Sequence, residues 1–204
     1  MMRVGVLASG SGSNFEALTA ALNVAGSPAR VEVLVCNVPG AGALARAERL
    51  GVPSVVAAHR DFAGREAFDA QLVELLRDRG IELVCLAGYM RLVSSTFLRA
   101  FPARVLNLHP ALLPSFPGLH AVRQALDAGV RVTGCTVHFV DEGTDTGPII
   151  AQAAVPVLPG DDEASLGARV HAAEHRLYPA AVRALADGKV RLEGRRVTLV
   201  EAIP

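Results

Sequence analysis

The chain has 204 residues, 51% of them hydrophobic, enough to bury a sizeable core without disulfide or metal staples. Lys plus Arg and Asp plus Glu both number 20, so the formal net charge is zero. That balance argues against the basic surface of a nucleic-acid-binding or membrane-surface protein, and any anionic ligand must be held by a local device.

Cys36, Cys85 and Cys135 lie in separate apolar runs with no C-x-x-C pairing, which predicts three buried, reduced thiols. The first apolar run, Val4 to Ala8, stops at Ser9-Gly10, too short for a secretory core or a membrane span, so a cytoplasmic protein is expected.

Short apolar runs alternate with helical patterns along the chain, the rhythm of an α/β fold. Val4 to Ala8, Val31 to Cys36, Val52 to Ala57 and Leu83 to Ala87 are nearly continuous apolar stretches and read as buried parallel strands. Between them, Phe15 to Leu22, Ala41 to Leu50 and Arg65 to Arg79 carry apolar residues at helical spacing, with Gly51 and Gly80 placed as C-terminal caps. The second half is less regular. It reads as a strand Val105 to His109, a stiff loop Pro110 to Pro117 and a helix near Ala121 to Ala128. Strands Cys135 to Val140 and Ile149 to Val155 follow, then a long helix from about Ser165 to Leu185 and a hairpin over Val190 to Val200 turning at Glu193-Gly194. The expected architecture is a Rossmann-like, mainly parallel sheet with helices on both faces, in a single domain with a short C-terminal hairpin.

Three stretches carry candidate chemistry. Ser9-Gly10-Ser11-Gly12-Ser13-Asn14 joins the first strand to the first helix, where bare backbone lets amide N–H groups converge on an anion; the plainer reading is a tight turn capped by Ser13 or Asn14. It is neither the dinucleotide fingerprint, since Phe15 stands where a third glycine is needed, nor a P-loop, since Lys189 is the only lysine. Asn107 and His109 alternate on one strand and so share a face at its carboxyl end, where open α/β sheets place ligands. Asp145 sits in an acidic, glycine-bearing loop between two strands, ordinarily only a turn, yet able to supply a carboxylate to a histidine elsewhere. His138, on the strand before that loop, reads as structural.

The runs Ala8 to Asn14, Leu86-Ala87-Gly88-Tyr89-Met90-Arg91, Asn107-Leu108-His109-Pro110-Ala111-Leu112-Leu113-Pro114, Pro117-Gly118-Leu119-His120 and Asp145-Thr146-Gly147-Pro148 resemble, in that order, the glycinamide ribonucleotide formyltransferases. The resemblance covers about Arg3 to Gly188. It implies a formyltransferase domain over 1–188, with a phosphate-binding half to about 100 and a formyl-folate half beyond it, and a hairpin or tail over 189–204. It implies that Gly12, Ser13, Asn14, Phe15 and Glu16 hold a ribosyl phosphate, that Glu174 meets the ribose hydroxyls, and that Arg65 with Met90, Arg91, Leu92 and Val93, together with Asn107, meets the folate. Asn107, His109 and Asp145 become the catalytic trio, with Asp145 holding His109 and favouring its charged form. The co-substrate it implies is 10-formyltetrahydrofolate and the acceptor is phosphoribosylglycinamide, with no metal, nucleic acid or membrane involved and with monomer and homodimer both open. Ala111 departs from relatives that commonly carry serine there.

Methionyl-tRNA formyltransferase and formyltetrahydrofolate hydrolase share the Asn107 and His109 region but carry further domains for which 204 residues leave no room. A rival of another class comes from His171-Ala172-Ala173-Glu174-His175, an H-x-x-E-H pattern as in inverted zinc peptidases, with Glu193 and Glu201 as the only later glutamates to complete the ligand set. A binding module that senses a nucleotide without turnover is the third reading.

Overall fold

The computed structural model describes residues 1–203, so of the C-terminal segment expected over 189–204, Pro204 lies outside the described residues. Among the described residues, nine strands form a seven-stranded sheet of order β3-β2-β1-β4-β5-β6-β7 and a separate two-stranded hairpin β8-β9. The chain divides into two compact units, Met1–Asn107 and the residues from Leu108 onward.

In the first unit, β1 (Met2–Ala8) pairs in parallel with β2 (Ala29–Cys36) and β4 (Leu83–Leu86), and β2 pairs in parallel with β3 (Ser54–Val56). The central strand is apolar on both faces: Val4, Val6, Leu7 and Ala8 are all fully buried, as burial of a parallel strand under helices on each side demands. Helices α1 (Ser13–Leu22), α2 (Gly42–Leu50) and α3 (Arg65–Asp78) supply the cover. Gly51 ends α2 in the left-handed conformation at φ 64, and Gly80 follows α3 at φ 62, as their spacing predicts.

Two features differ from expectation. Val52 to Ala57 reads as a buried strand, but only Ser54–Val56 pairs, at the edge of the sheet, with Val56 47% exposed. Pro53 has no N–H to give, so it enters the ladder only as an acceptor from Leu34 N–H at 2.9 Å. A short helix α4 (Ser95–Ala100) also forms where none is expected. Its start is fixed by Ser94, whose hydroxyl accepts from Phe97 N–H at 3.4 Å and whose own N–H donates to the buried Asp69 carboxylate at 2.5 Å. Burial raises the Asp69 carboxyl above its ordinary value even against these donors. Strand β5 (Val105–His109) runs parallel to β4.

In the second unit, β6 (Val132–Phe139) and β7 (Ile149–Pro156) form an antiparallel pair, and α5 (Ala121–Asp127) precedes them. The long helix α6 (Glu163–Ala186) buries Leu166, Val170, Ala173, Leu177, Ala181 and Leu185 along one stripe at helical spacing. It begins two residues before the expected Ser165 because Asp162 and Ser165 form a reciprocal cap: Ser165 N–H donates to Asp162 Oδ1 at 2.7 Å, and Asp162 N–H to Ser165 Oγ at 3.0 Å. The hairpin β8 (Val190–Glu193) and β9 (Arg196–Leu199) turns at Gly194 as expected. Cys36, Cys85 and Cys135 are all buried free thiols. No helix among the described residues is long and apolar enough to cross a membrane.

The β6-β7 pair depends on one bare backbone position. A Cβ on Gly134 would stand 2.0 Å from the Ala153 carbonyl oxygen and 2.9 Å from Leu112 Cδ2, whereas one on Gly167, inside α6, meets nothing within 4 Å. Gly134→Ala is expected to lower unfolding free energy by about 2 kcal/mol or more. Gly167→Ala is expected to raise it by about 0.5–1 kcal/mol through helix propensity. Urea denaturation of the two variants measures both, and equal effects would contradict the packing described.

Candidate active site

The strand-to-helix loop after β1 is shaped by α2. Gly10 C=O accepts from Ala43 N–H at 3.1 Å and Ser11 C=O accepts from Arg46 Nε at 2.8 Å. With both carbonyls drawn toward α2, the loop enters α1 through Gly12, which lies in the left-handed region at φ 78 and gives no side-chain cap. No other residue fits there, since a Cβ on Gly12 would sit 2.6 Å from Ala43 Cα. The first-turn N–H groups of a helix lack intrahelical acceptors and carry the positive end of its dipole, so Ser13, Asn14 and Phe15 head an anion-binding geometry. Phe15 is fully buried, which leaves its backbone as its only means of meeting a ligand. Glu16 donates its N–H to Gly12 C=O at 3.0 Å, and its carboxylate is ion-paired with Arg46 and Arg49. Its side chain therefore anchors Arg46 under the loop. The cap position falls on Gly12 rather than on Ser13 or Asn14, and no side chain caps this helix start.

The residues expected against a folate lie on a mostly exposed rim of the same unit. Met90 and Leu92 are 67% and 56% exposed, and the Arg91 guanidinium lies over the Phe68 ring at 5.3 Å. Phe68 is one turn along α3 from the exposed Arg65, so the 90–93 segment and the start of α3 meet through a cation–π contact. Phe62 packs edge-on against the same ring at 5.2 Å.

In the second unit a carboxylate is held among imidazoles. Asp145 adopts a left-handed backbone at φ 54. Its Oδ2 accepts from Gly118 N–H at 2.8 Å and lies 3.3 Å from His109 Nδ1, while Oδ1 lies 3.7 Å from His138 Nε2. His109 is 4% exposed, and its other ring nitrogen lies 2.8 Å from Phe116 C=O. Both neighbours of that ring are acceptors, a carboxylate at Nδ1 and a backbone carbonyl at Nε2. Burial works to raise the Asp145 carboxyl; the His138 ring, the Gly118 N–H and the His109 charge together outweigh it and hold the group below its ordinary value. His138, read from the sequence as structural, is thus a neighbour of the same carboxylate, and its Nδ1 lies 2.8 Å from Phe139 C=O. Asn107 and His109 occupy alternate positions of β5.

The stiff loop after β5 is pinned from beneath. Thr136 Oγ donates to Ala111 C=O at 2.7 Å and accepts from Leu113 N–H at 3.0 Å, and Gln152 Nε2 donates to Leu113 C=O at 2.9 Å. Ala111 is fully buried, so the loop is held by Thr136 and Gln152 without a hydroxyl at 111. These two polar residues on strands were missed from the sequence, where an isolated Thr or Gln in an apolar run gives no signal.

Glu174 is buried on α6, 3% exposed, 4.0 Å from His171 Nε2. Burial pushes the Cys135 thiol up to about 12, with the Glu174 charge adding to it. The His171 and His175 rings stack with centroids 6.5 Å apart. The later acids required by the zinc reading lie elsewhere: Glu201 pairs with Lys189 at 2.6 Å, and Glu193 ends β8. Among the described residues no group of three or more His, Cys, Asp or Glu is arranged to hold a metal ion.

Residues 2–182 match the formyl transferase family. The phosphoribosylglycinamide formyltransferase of Bacillus subtilis (strain 168) is 44% identical over 185 residues, covering 91% of this chain and 95% of that protein. That of Mycobacterium tuberculosis (strain CDC 1551 / Oshkosh) is 46% identical over 197 residues, covering 97% and 91%. The trifunctional purine biosynthetic protein adenosine-3 of Drosophila melanogaster is 52% identical over 188 residues, and the chain spans 14% of its length. Among solved structures, glycinamide ribonucleotide transformylase 1 from Symbiobacterium toebii superposes with a TM-score of 0.96 at 52% identity, covering 98% of this chain and 95% of that one.

The direction of the Asp145 shift sets a pH dependence. A carboxyl held lower in the folded than in the unfolded chain contributes stability that is complete above its unfolded value of about 3.9 and is lost as pH falls through the folded value. The stability difference between the wild-type protein and Asp145→Asn is therefore expected to be largest near neutral pH and to shrink below about pH 4. Urea unfolding of both proteins at about pH 7 and about pH 3 tests this; a difference independent of pH would contradict the assignment.

Proposed function

Because the chain belongs to the formyl transferase family, we propose that it transfers the formyl group of 10-formyltetrahydrofolate to the amine of phosphoribosylglycinamide, in the cytoplasm and in purine biosynthesis. The observation that carries the chemistry is the half-buried Asp145 carboxylate 3.3 Å from Nδ1 of the buried His109 at the end of β5, which supports an imidazole donor there. The similarity over nearly the whole length of the two bacterial phosphoribosylglycinamide formyltransferases supports this acceptor over tRNA, water or a peptide.

The 12–16 segment takes the ribosyl phosphate on the N–H groups of the first turn of α1, and Glu174 accepts from the ribose hydroxyls. Arg65 and Met90 to Val93 receive the folate. The neutral amine attacks the formyl carbon, the new C–N bond forms, and the carbonyl electrons move onto oxygen. That oxyanion is met by the Asn107 amide and by His109 in its protonated form, donors set before the reaction begins. As the C–N10 bond breaks, the amine proton passes to N10 through His109 or a water, so the protonation of the site is restored. Asp145 holds His109 in place and balances its charge. The folate is consumed as a co-substrate, and the scheme draws on no metal.

The test is turnover of purified protein with 10-formyltetrahydrofolate and phosphoribosylglycinamide, with Met-tRNA and water as competing acceptors. Formylation of the ribonucleotide amine is expected, with kcat reduced about 100-fold or more in His109→Ala. Formyl transfer to Met-tRNA, or release of formate as the main product, would overturn the choice of acceptor.

The folate assignment has its own test. Arg65→Ala should raise KM for 10-formyltetrahydrofolate and leave KM for phosphoribosylglycinamide nearly unchanged. The opposite split would mean that the two binding segments are exchanged.

A further inference from the structure

At the carboxyl ends of four adjacent strands, the backbone ladder gives way to a belt of side-chain hydrogen bonds. The last ladder contacts are Ala57 N–H to Cys36 C=O at 2.9 Å, Asn37 N–H to Ala8 C=O at 3.4 Å, and Ser9 N–H to Gly88 C=O at 3.1 Å. Just beyond them, Met90 N–H donates to Ser9 Oγ at 2.9 Å, and Ser9 Oγ–H donates to Asn37 Oδ1 at 2.6 Å. Asn37 Nδ2 then lies 3.3 Å from His59 Nδ1. Read along the belt, His59, Asn37, Ser9 and Met90 follow β3, β2, β1 and β4, which is the order of those strands in the sheet.

Every member of the belt has its direction fixed by its neighbour. Asn37 is 4% exposed, so its amide must be satisfied within the protein. Its Nδ2 has only hydrogens to offer, so His59 Nδ1 accepts and the ring keeps its proton on Nε2. Its Oδ1 takes the Ser9 hydroxyl hydrogen, which leaves the Ser9 lone pairs aimed at Met90 N–H. The acceptor that meets Met90 N–H is therefore set in place by the buried Asn37 amide next to it in the belt.

We infer that Ser9, braced by Asn37 and His59, is a positioning residue that sets the backbone of Met90, and through it the 90–93 segment, for the folate. The inference rests on the proposed folate role of that segment. The phosphate loop does not need the Ser9 hydroxyl: Gly10 and Ser11 are held through their carbonyls by Ala43 N–H and Arg46, and Ser9 is tied to Gly88 by its own backbone. The hydroxyl therefore acts on one substrate and not on the other, although Ser9 stands at the root of the other substrate's loop.

Two measurements test this. In the substrate-free protein, Met90 amide hydrogen exchange should quicken about 5- to 10-fold in Ser9→Ala and in Asn37→Ala, the loss of one hydrogen bond, and return to the wild-type rate in Ser9→Thr. In turnover, Ser9→Ala should raise KM for 10-formyltetrahydrofolate about 5-fold, leave KM for phosphoribosylglycinamide within about twofold, and be restored by Ser9→Thr. Unchanged Met90 exchange in Ser9→Ala overturns the belt. Normal folate KM, an equal rise in both KM values, or a defect that Ser9→Thr does not repair overturns its positioning role. Absence of wild-type formyl transfer overturns the functional reading instead, and the exchange experiment separates that failure from this one.

Discussion

A carboxylate taken out of water must be met by donors, and the second unit is organised around meeting one. Asp145 receives the Gly118 N–H, faces His109 with one oxygen and His138 with the other, and reaches them from a left-handed backbone that a regular strand or helix does not supply. Each donor comes from a different segment: the strand β5, the loop after it, and the strand β6. Those segments must be in register before the charge is compensated. The Thr136 and Gln152 bonds that pin the 111–113 backbone belong to the same demand, because the loop delivering Gly118 begins there.

The first unit meets a different constraint, the fixing of a bare glycine loop at the start of a helix. It turns two successive loop carbonyls toward α2, occupies them with Ala43 N–H and Arg46, and enters α1 through a glycine in the left-handed region. The arginine is paired with Glu16, so the loop carbonyl it holds is supported by a compensated charge.

Elements whose signal is local were legible in the sequence. Continuous apolar runs gave β1, β2 and β4, helical spacing gave α1, α2, α3 and α6, and the cap glycines at 51 and 80 fell where helices end. The edge strand β3 was misread as buried because hydropathy does not say where in the order a strand will stand. The short helix α4 was missed because six residues do not show a period, although Ser94 at its start was a readable cap. In the site, Asn107 and His109 could be reasoned from strand alternation, but the approach of Asp145 to His109 spans 36 positions of chain and came only through resemblance. The links of His138 to Asp145 and of Asn37 to Ser9 depend on strand order and loop path, which no window of sequence contains.

The contact between Gly12 and Ala43 carries a consequence for how this fold can diverge. A Cβ at position 12 would overlap Ala43 Cα and Cβ at 2.6 and 2.7 Å, so the loop is cast against the small side chain of another helix. The two positions are one heritable unit. A lineage that enlarges residue 43 displaces the loop carbonyls from their donors, and one that replaces Gly12 meets both a backbone atom and an unfavourable dihedral. Neither change is reachable alone without passing through a strained loop, so positions 12 and 43 should drift together or not at all, while the solvent face of α2, free of this contact, is open to variation.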